Sequence, residues 1–362
     1  MQLDMHYYGT YAMARTAGLK PATCKTIATA AQFVDDNAAK SHIEFQDGGR
    51  IDAEATAHHV SDVIRNLDAE DQRQVWVPFH FLPGNQGKTF SQRLICRENS
   101  KIVQALISHH LSYAMHPAGI CLIGVGAHVY ADTFSHWGFS CVGSRYNKVD
   151  NDSFKFHGGL DPDIADYIKK KEREFFRRYG KGGGFIANIK SWLAETVSGA
   201  LGHGAVATYP DRPYLKWSFE YEYPTKKRAR RDNPAHFLKG CEALHDMFRR
   251  FGKANPAQST GDGVAFGVIK NAVKAIIEHE DRMEGRIQKW CTEAGAGRIG
   301  PKVFRIPPYE PEVWMRQSAT LNSSETSTEA LKSNLYRFYQ AASIHRQYVL
   351  RELLPENRLV VA

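Results

Sequence analysis

The chain has 362 residues, of which 43% are hydrophobic, 24% charged and 11% aromatic. This ordinary globular composition excludes a disordered, collagen-like or coiled-coil chain. Its weakly polar stretches fall short of the roughly 20 residues that a membrane-spanning helix needs, so a membrane-spanning protein is also excluded. The formal net charge of +8 favours anionic partners such as phosphate esters, nucleic acid or lipid headgroups.

Six widely spaced cysteines without a Cys-x-x-Cys pair indicate reduced thiols, and the N-terminus has no basic region followed by an apolar run. These features predict a cytoplasmic protein, with export by a non-classical route left open. The sixteen histidines are the one compositional anomaly.

Helical periodicity dominates the chain from its N-terminus onward. The segment 76–83 has a proline near either end and is expected to be extended or a loop. No sheet larger than a hairpin is expected, so the predicted fold class is all-α. A single domain over 1–317, with insertions at about 145–200 and 220–300, precedes a polar linker and a closing helix over 318–362 that pack on it. The predicted helices cover 8–17, 21–36, 52–67, 118–139, 169–178, 237–251, 264–294 and 329–354.

Asp132 is the only formal charge between Lys101 and Arg145. The helix predicted around it is apolar nearly all round, which indicates a buried helix. His128 and His136 flank Asp132 at four-residue steps, so the three side chains point to one side. Because burying a lone carboxylate is costly unless a cation compensates it, this pattern favours a metal site over a polar stripe.

His128 and His136 lie about 12 Å apart along such a helix, which is too far for one ion to be held by all three side chains. The spacing suits neighbouring metals bridged by Asp132, as in two-metal hydrolases whose ions lie about 3.5–4 Å apart. Imidazole and carboxylate without thiolate favour Zn²⁺ first, with iron or manganese as alternatives. The other interpretation is that the core histidines are satisfied by backbone carbonyls.

The segment Gly124-x-Gly-Ala-His128-Val-Tyr-Ala-Asp132-x-x-x-His136 resembles the signature helix of the zinc-dependent phospholipase C superfamily. That group includes bacterial phosphatidylcholine-cleaving phospholipase C, the P1/S1 nucleases and the catalytic domain of glycosylphosphatidylinositol phospholipase D. The three-residue gap before His136 is similar to that of the last group. The resemblance implies a multi-helix bundle of phospholipase C/P1 nuclease type, with loop and helix insertions.

The resemblance also implies a ligand set, because other family elements follow in the expected order. His6 lies near the start of the first helix, Asp35 and Asp36 close the second, and His80 stands in a segment similar to the family's His-Phe-x-x-Pro element. One zinc would then be held by Asp35 or Asp36 together with His80, His128 and Asp132.

A second zinc, by the same resemblance, would be held by His6 and Asp132 with N-terminal groups. Asp4 is expected to replace the processed terminus that secreted members use.

The third zinc of the family would take His136 and a downstream histidine and acid. The bacterial His-x-x-x-Glu pair is absent, and His203 and Asp211 are the best substitutes, ahead of His157 and the pair His279-Glu280. Two or three ions are therefore expected.

The activity implied is hydrolysis of a phosphodiester or phosphomonoester by metal-bound water, with Asp35 or Asp36 as the general base. Phospholipid is the preferred substrate and nucleic acid, as for a P1/S1-type nuclease, the next. The alternative from another class is a non-catalytic helical binding protein with a degenerate metal cluster. A His-Asp phosphohydrolase built on His245-Asp246 is the least favoured interpretation, since the surroundings resemble an ordinary amphipathic helix.

Two basic runs, 169–178 and 226–231, are interleaved with aromatic residues. They are expected to be a solvated helix face and a flexible loop. The functional alternative is a rim that makes peripheral contact with a membrane or with nucleic-acid phosphates.

Overall fold

The computed structural model describes residues 1–57, 72–140, 142–180, 206–300, 302–322 and 327–359. Within these ranges the helices are accompanied by two antiparallel sheets, one of two strands and one of three. The all-α expectation is therefore wrong, and the chain has a mixed helix-and-strand architecture.

The helices fill most of the described ranges. π-Helical turns at Asp4–Gly9, Gln72–Trp76 and Val349–Leu353 run directly into the α-helices that follow them. In chain order the α-helices are α1 (Thr10–Thr16), α2 (Pro21–Asp36), α3 (Val77–Phe79), α4 (Phe90–Arg93), α5 (Lys101–Ser112), α6 (Gly119–Ser135), α7 (Pro162–Gly180), α8 (Asn233–Ala254), α9 (Phe266–Ile277), α10 (Met283–Gly295), α11 (Pro311–Asn322), α12 (Ser327–Ala330), α13 (Asn334–Tyr348) and α14 (Leu354–Glu356).

Helix α6 forms the centre of the fold. It packs against α2, α5, α8 and α13. Every residue of α6 except Ile120 is buried. This confirms that the helix predicted around Asp132, in the charge-poor segment 102–144, is a buried helix. Among the described residues, no helix is both long and apolar enough to cross a membrane.

A β-hairpin replaces part of a predicted helix. Strands β1 (Ser41–Glu44) and β2 (Arg50–Ala53) pair antiparallel, with Ile43 opposite Ile51. The helix expected over 52–67 is therefore wrong at its start, and 58–71 lies outside the described residues.

The second sheet has the order β3 (Val149–His157), β4 (Lys216–Tyr221) and β5 (Lys227–Asp232). Trp217 of β4 pairs with Arg231 of β5, and both side chains are buried against the core. The basic run 226–231, expected as a flexible loop, instead forms most of strand β5.

Two further elements differ from expectation. The predicted helix over 264–294 is interrupted between α9 and α10. The segment 76–83, expected to be extended or a loop, is helical through Phe79 and non-helical from His80 onward. Helix α11 covers the first part of the predicted linker, and Phe338 of α13 packs in one core cluster with Leu122 of α6.

Candidate metal centre

Asp132 is the point on which the predicted ligands converge. It is 1% exposed, and its Oδ2 lies 3.2 Å from His128 Nε2 and 3.7 Å from His80 Nδ1. Its Oδ1 lies 3.2 Å from His6 Nε2, and the His6 ring stacks on the His128 ring with centroids 3.8 Å apart. The structure thus brings together residues from the N-terminal π-turn, the segment after α3, and α6.

Three histidines of the centre, His80, His128 and His136, are each oriented by a hydrogen bond to a backbone carbonyl. His128 Nδ1 donates to Ala31 O at 2.8 Å, and His80 Nε2 donates to Thr56 O at 2.9 Å. His136 Nδ1 donates to His80 O at 2.8 Å. In a neutral imidazole the second nitrogen is then an acceptor, so His80 Nδ1 and His128 Nε2 present lone pairs to the centre. His136 Nε2 instead lies beside Asp211 Oδ1 and the Met1 ammonium.

When both rings are neutral, the groups that face one another are all acceptors. His80 Nδ1 and His128 Nε2 stand 3.3 Å apart, and Asp132 Oδ2 beside them has no hydrogen-bond donor. Ligand atoms of His80, His128 and Asp132 lie within 4.8 Å of one another, as do those of His6, Asp35 and His128. Converging acceptors repel unless a cation lies between them, so the donor set fits a divalent metal.

The electrostatics of the centre also favour positive charge. Burial lowers the pKa of His128, but the carboxylates of Asp132 and Asp35 outweigh it and raise the pKa above its usual value. Burial raises the pKa of Asp132, yet His136, the Met1 ammonium and His128 hold that pKa well below its ordinary value. Asp132 is therefore an anion in the interior.

Of the two candidate acids that close α2, Asp35 faces the centre. Its Oδ1 is 3.8 Å from both His80 Nδ1 and His128 Nε2, and the side chain is 34% exposed. Asp36 turns away, because its Oδ2 accepts from the Tyr309 hydroxyl. Burial raises the pKa of Asp36.

Of the ligands expected for a third zinc, the structure describes His136 and Asp211. Asp211 reaches the centre from the loop before β4, and its Oδ1 lies 3.2 Å from His136 Nε2. His203 lies outside the described residues. The less favoured His157 bonds to Ser218 on the second sheet instead.

The N-terminal groups also reach the centre. The Met1 ammonium lies 2.6 Å from Asp132 Oδ1 and 3.3 Å from Asp211 Oδ1. Burial lowers the pKa of this ammonium, but the neighbouring carboxylates outweigh it and raise the pKa to about 11. Asp4, expected to replace the terminus, instead forms an ion pair with Arg286 at 2.9 Å.

One family model matches residues 1–353, and its description is "Family of unknown function (DUF6765)". The chain belongs to this family. No curated protein and no solved structure matches it. An assignment of activity consequently depends on the geometry of the centre.

Sequence reasoning missed two side chains that shape the centre. Phe81 stacks on the His136 ring at 4.5 Å, and Tyr309 holds Asp36 away from the metal ligands. Phe81 directly follows His80, so the quoted motif contained a signal for it. Tyr309 is more than 270 residues from Asp36 in sequence, and no local pattern could have indicated the contact.

Proposed function

We propose that the chain is a zinc-dependent hydrolase of phosphate esters, similar to the phospholipase C and P1 nuclease superfamily. The observation that carries the proposal is the convergence of His80 Nδ1 and His128 Nε2 on the buried carboxylate of Asp132, while the other nitrogen of each ring donates to a backbone carbonyl. Core histidines that were merely satisfied by backbone carbonyls would not need their free nitrogens to face one another and a carboxylate.

The ligands divide into overlapping groups. His80, His128 and Asp132 would hold one ion, with Asp35 Oδ1 3.8 Å from both imidazoles. His6 and the other Asp132 oxygen would hold a second, and Asp35 also lies within reach of His6. His136 and Asp211 would contribute to a third. Iron or manganese would suit the same nitrogen and oxygen donors.

When bound, the ions would lower the pKa of water and neutralise charge on the phosphoryl oxygens. Asp35 is the residue best placed to accept a proton from the attacking water, because it is the partly exposed acid of the centre. The carbonyls of Ala31, Thr56 and His80 keep the three imidazoles in fixed orientations throughout the reaction.

Metal content of the purified protein tests the proposal. Elemental analysis is expected to find at least one zinc per chain in the natural protein and to find it largely lost in Asp132→Asn. Asp246→Asn is the matched control, because Asp246 is an exposed acid on α8. Less than one divalent ion per folded chain, or full metal retention by Asp132→Asn, would overturn the assignment.

Substrate class is tested with the metal-loaded protein. Phospholipid vesicles are the preferred substrate in the proposal, and single-stranded nucleic acid is the next. Activity on nucleic acid that falls steeply with added salt would indicate a nuclease, whereas dependence on lipid aggregation would indicate a phospholipase.

A further inference from the structure

Two buried arginines lie beside the metal centre and have no part in the hydrolysis described above. Arg212 and Arg286 are 3% and 2% exposed. The Arg286 guanidinium lies 5.7 Å from the centre of the Tyr214 ring, and that of Arg212 lies 5.3 Å from the centre of the Tyr167 ring. The guanidinium of the exposed Arg282 also lies 5.3 Å from the centre of the Tyr167 ring.

Cations exceed acids in this group. Arg286 pairs with Asp4 and donates to Gln2 Oε1 at 2.7 Å. Arg212 donates to Thr208 Oγ1 at 3.2 Å and forms no ion pair with an acid in the described part of the chain. Burial raises the pKa of Asp4 and both guanidiniums act to lower it, so this one carboxylate faces two buried cations.

The two guanidiniums also keep unused donors. Arg212 Nε and Arg286 Nε are both buried without a hydrogen-bond partner. A buried donor that has lost water and found no acceptor is costly, and the cost is greater for a charged group. An anion with several acceptor oxygens would satisfy both nitrogens.

The position of the arginines ties them to the metal centre. Arg212 directly follows Asp211, which contacts His136. Arg286 holds Gln2, the residue next to Met1, whose ammonium contacts Asp132. Burial raises the pKa of Asp4, and the two guanidiniums and the Met1 ammonium all lie close enough to Asp4 to act against that rise, so the arginine group borders the centre.

We propose that Arg212 and Arg286 form a pocket for a phosphate group adjacent to the metal centre. The planar guanidinium fork matches phosphate oxygens in pairs, which a lysine ammonium does not do. The phosphate would be either a second, non-reacting phosphate of the substrate or the phosphomonoester released by hydrolysis. Its role in the reaction rests on the proposed function, but the binding of phosphate does not.

Calorimetric titration of the full, chelator-treated chain with inorganic phosphate tests the pocket without any metal. The natural protein is expected to bind, and Arg212→Gln is expected to weaken binding at least about tenfold. Arg212→Lys keeps the charge but loses the planar guanidinium, so its phosphate affinity should lie between that of the natural protein and that of Arg212→Gln. Arg298→Gln is the control, because Arg298 pairs with Glu293 elsewhere on the surface.

Absence of phosphate binding by the natural protein would overturn the pocket, as would equal affinity in a folded Arg212→Gln variant. Since the titration contains no metal, a failed zinc assignment would leave its result unchanged. Arg212 is the better residue for the test, because Arg286 also anchors Asp4 and Gln2.

Hydrolysis by the metal-loaded protein then separates the two sources of the phosphate. If the pocket holds a second substrate phosphate, Arg212→Gln raises KM for a diester with an additional phosphate and not for one without. If the pocket holds the product, the same variant weakens inhibition by the phosphomonoester. If Arg212→Gln changes neither KM nor inhibition by the phosphomonoester, the pocket has no role in the reaction.

Discussion

Gly124 of α6 lies against α2 so closely that a Cβ on it would stand 2.6 Å from the Cβ of Ala30 and 2.6 Å from Ile27 O. This close approach allows the two helices to touch through their backbones. It brings Ala31 O to His128 Nδ1 and places Asp35, at the end of α2, opposite His128 Nε2. Gly124 therefore sets the spacing of the candidate metal centre.

Gly124→Ala is expected to lower the free energy of unfolding by about 1–3 kcal/mol, because neither backbone nor the neighbouring methyl can yield without separating the helices. It should also reduce zinc affinity, since Asp35 and His128 would move apart. Urea denaturation and zinc titration of the same samples measure the two effects.

Gly267→Ala provides the matched control on α9. A Cβ there would meet nothing within 4 Å. Because alanine favours helix over glycine, stability should be unchanged or rise by up to about 1 kcal/mol, with zinc affinity unaffected. Equal stability of Gly124→Ala and the natural protein would contradict the packing argument.

The same substitution at the two neighbouring acids that end α2 is expected to affect zinc binding at Asp35 and not at Asp36. Asp35→Asn should lower zinc affinity at least about tenfold and reduce hydrolysis, because Asp35 is the acid that faces His80 and His128. Asp36→Asn should leave the zinc stoichiometry unchanged, since Asp36 bonds to Tyr309.

Zinc stoichiometry and affinity, measured by elemental analysis and competitive titration, separate the two variants. Loss of zinc from Asp36→Asn with retention by Asp35→Asn would show that the orientation of the two acids is the reverse of that seen here. Tyr309→Phe removes the hydroxyl donor to Asp36 and should also retain zinc.

Local signals predicted the helices that build the centre. The proline turn and apolar spacing of 21–36 gave α2 its observed bounds, and the charge-poor segment predicted a buried α6, which ends at Ser135, before the expected 139. Consecutive residues on a helix point about 100° apart, so sequence alone could not decide whether Asp35 or Asp36 faces inward. That choice depends on Tyr309, a distant residue.

The sheets were missed for different physical reasons. Trp217, Phe219 and Tyr221 alternate at the strand period, but three short strands distant in sequence give a weaker signal than the helical periodicity that dominates the chain. The basic run has a single fully buried side chain, Arg231, so its pattern does not resemble a core strand. The hairpin of β1 and β2 does have a local signal, Asp47-Gly48, which lies between the two strands.

A chain of histidines lies behind the loop that carries His80. His345 Nε2 donates to Pro78 O at 2.8 Å, and its Nδ1 lies 2.9 Å from His110 Nε2. His109 Nδ1 is 3.1 Å from His110 Nδ1. Pro78 O accepts a hydrogen bond from His345 Nε2–H. His345 Nδ1 can therefore accept a hydrogen bond from His110 only while the His345 ring is neutral.

Burial lowers the pKa of His345 to about 3, and burial with the neighbouring His345 lowers that of His110. In the unfolded chain His345 titrates near its ordinary value of about 6.5. As pH falls from about 6.5 towards 3, the unfolded state therefore binds a proton that the folded state refuses, and stability is lost. Between pH 7 and 5 the loss attributable to His345 is up to about 2 kcal/mol.

His345→Gln should reduce this loss, because the amide can still donate to Pro78 O but takes up no proton. His279→Gln, which changes a partly exposed histidine, should retain the dependence of the natural protein. Urea denaturation at pH 7 and pH 5 in chelator-treated samples gives the comparison. A pH dependence in His345→Gln as steep as that of the natural protein would mean that His345 takes up its proton in the folded state, against the low pKa that burial imposes.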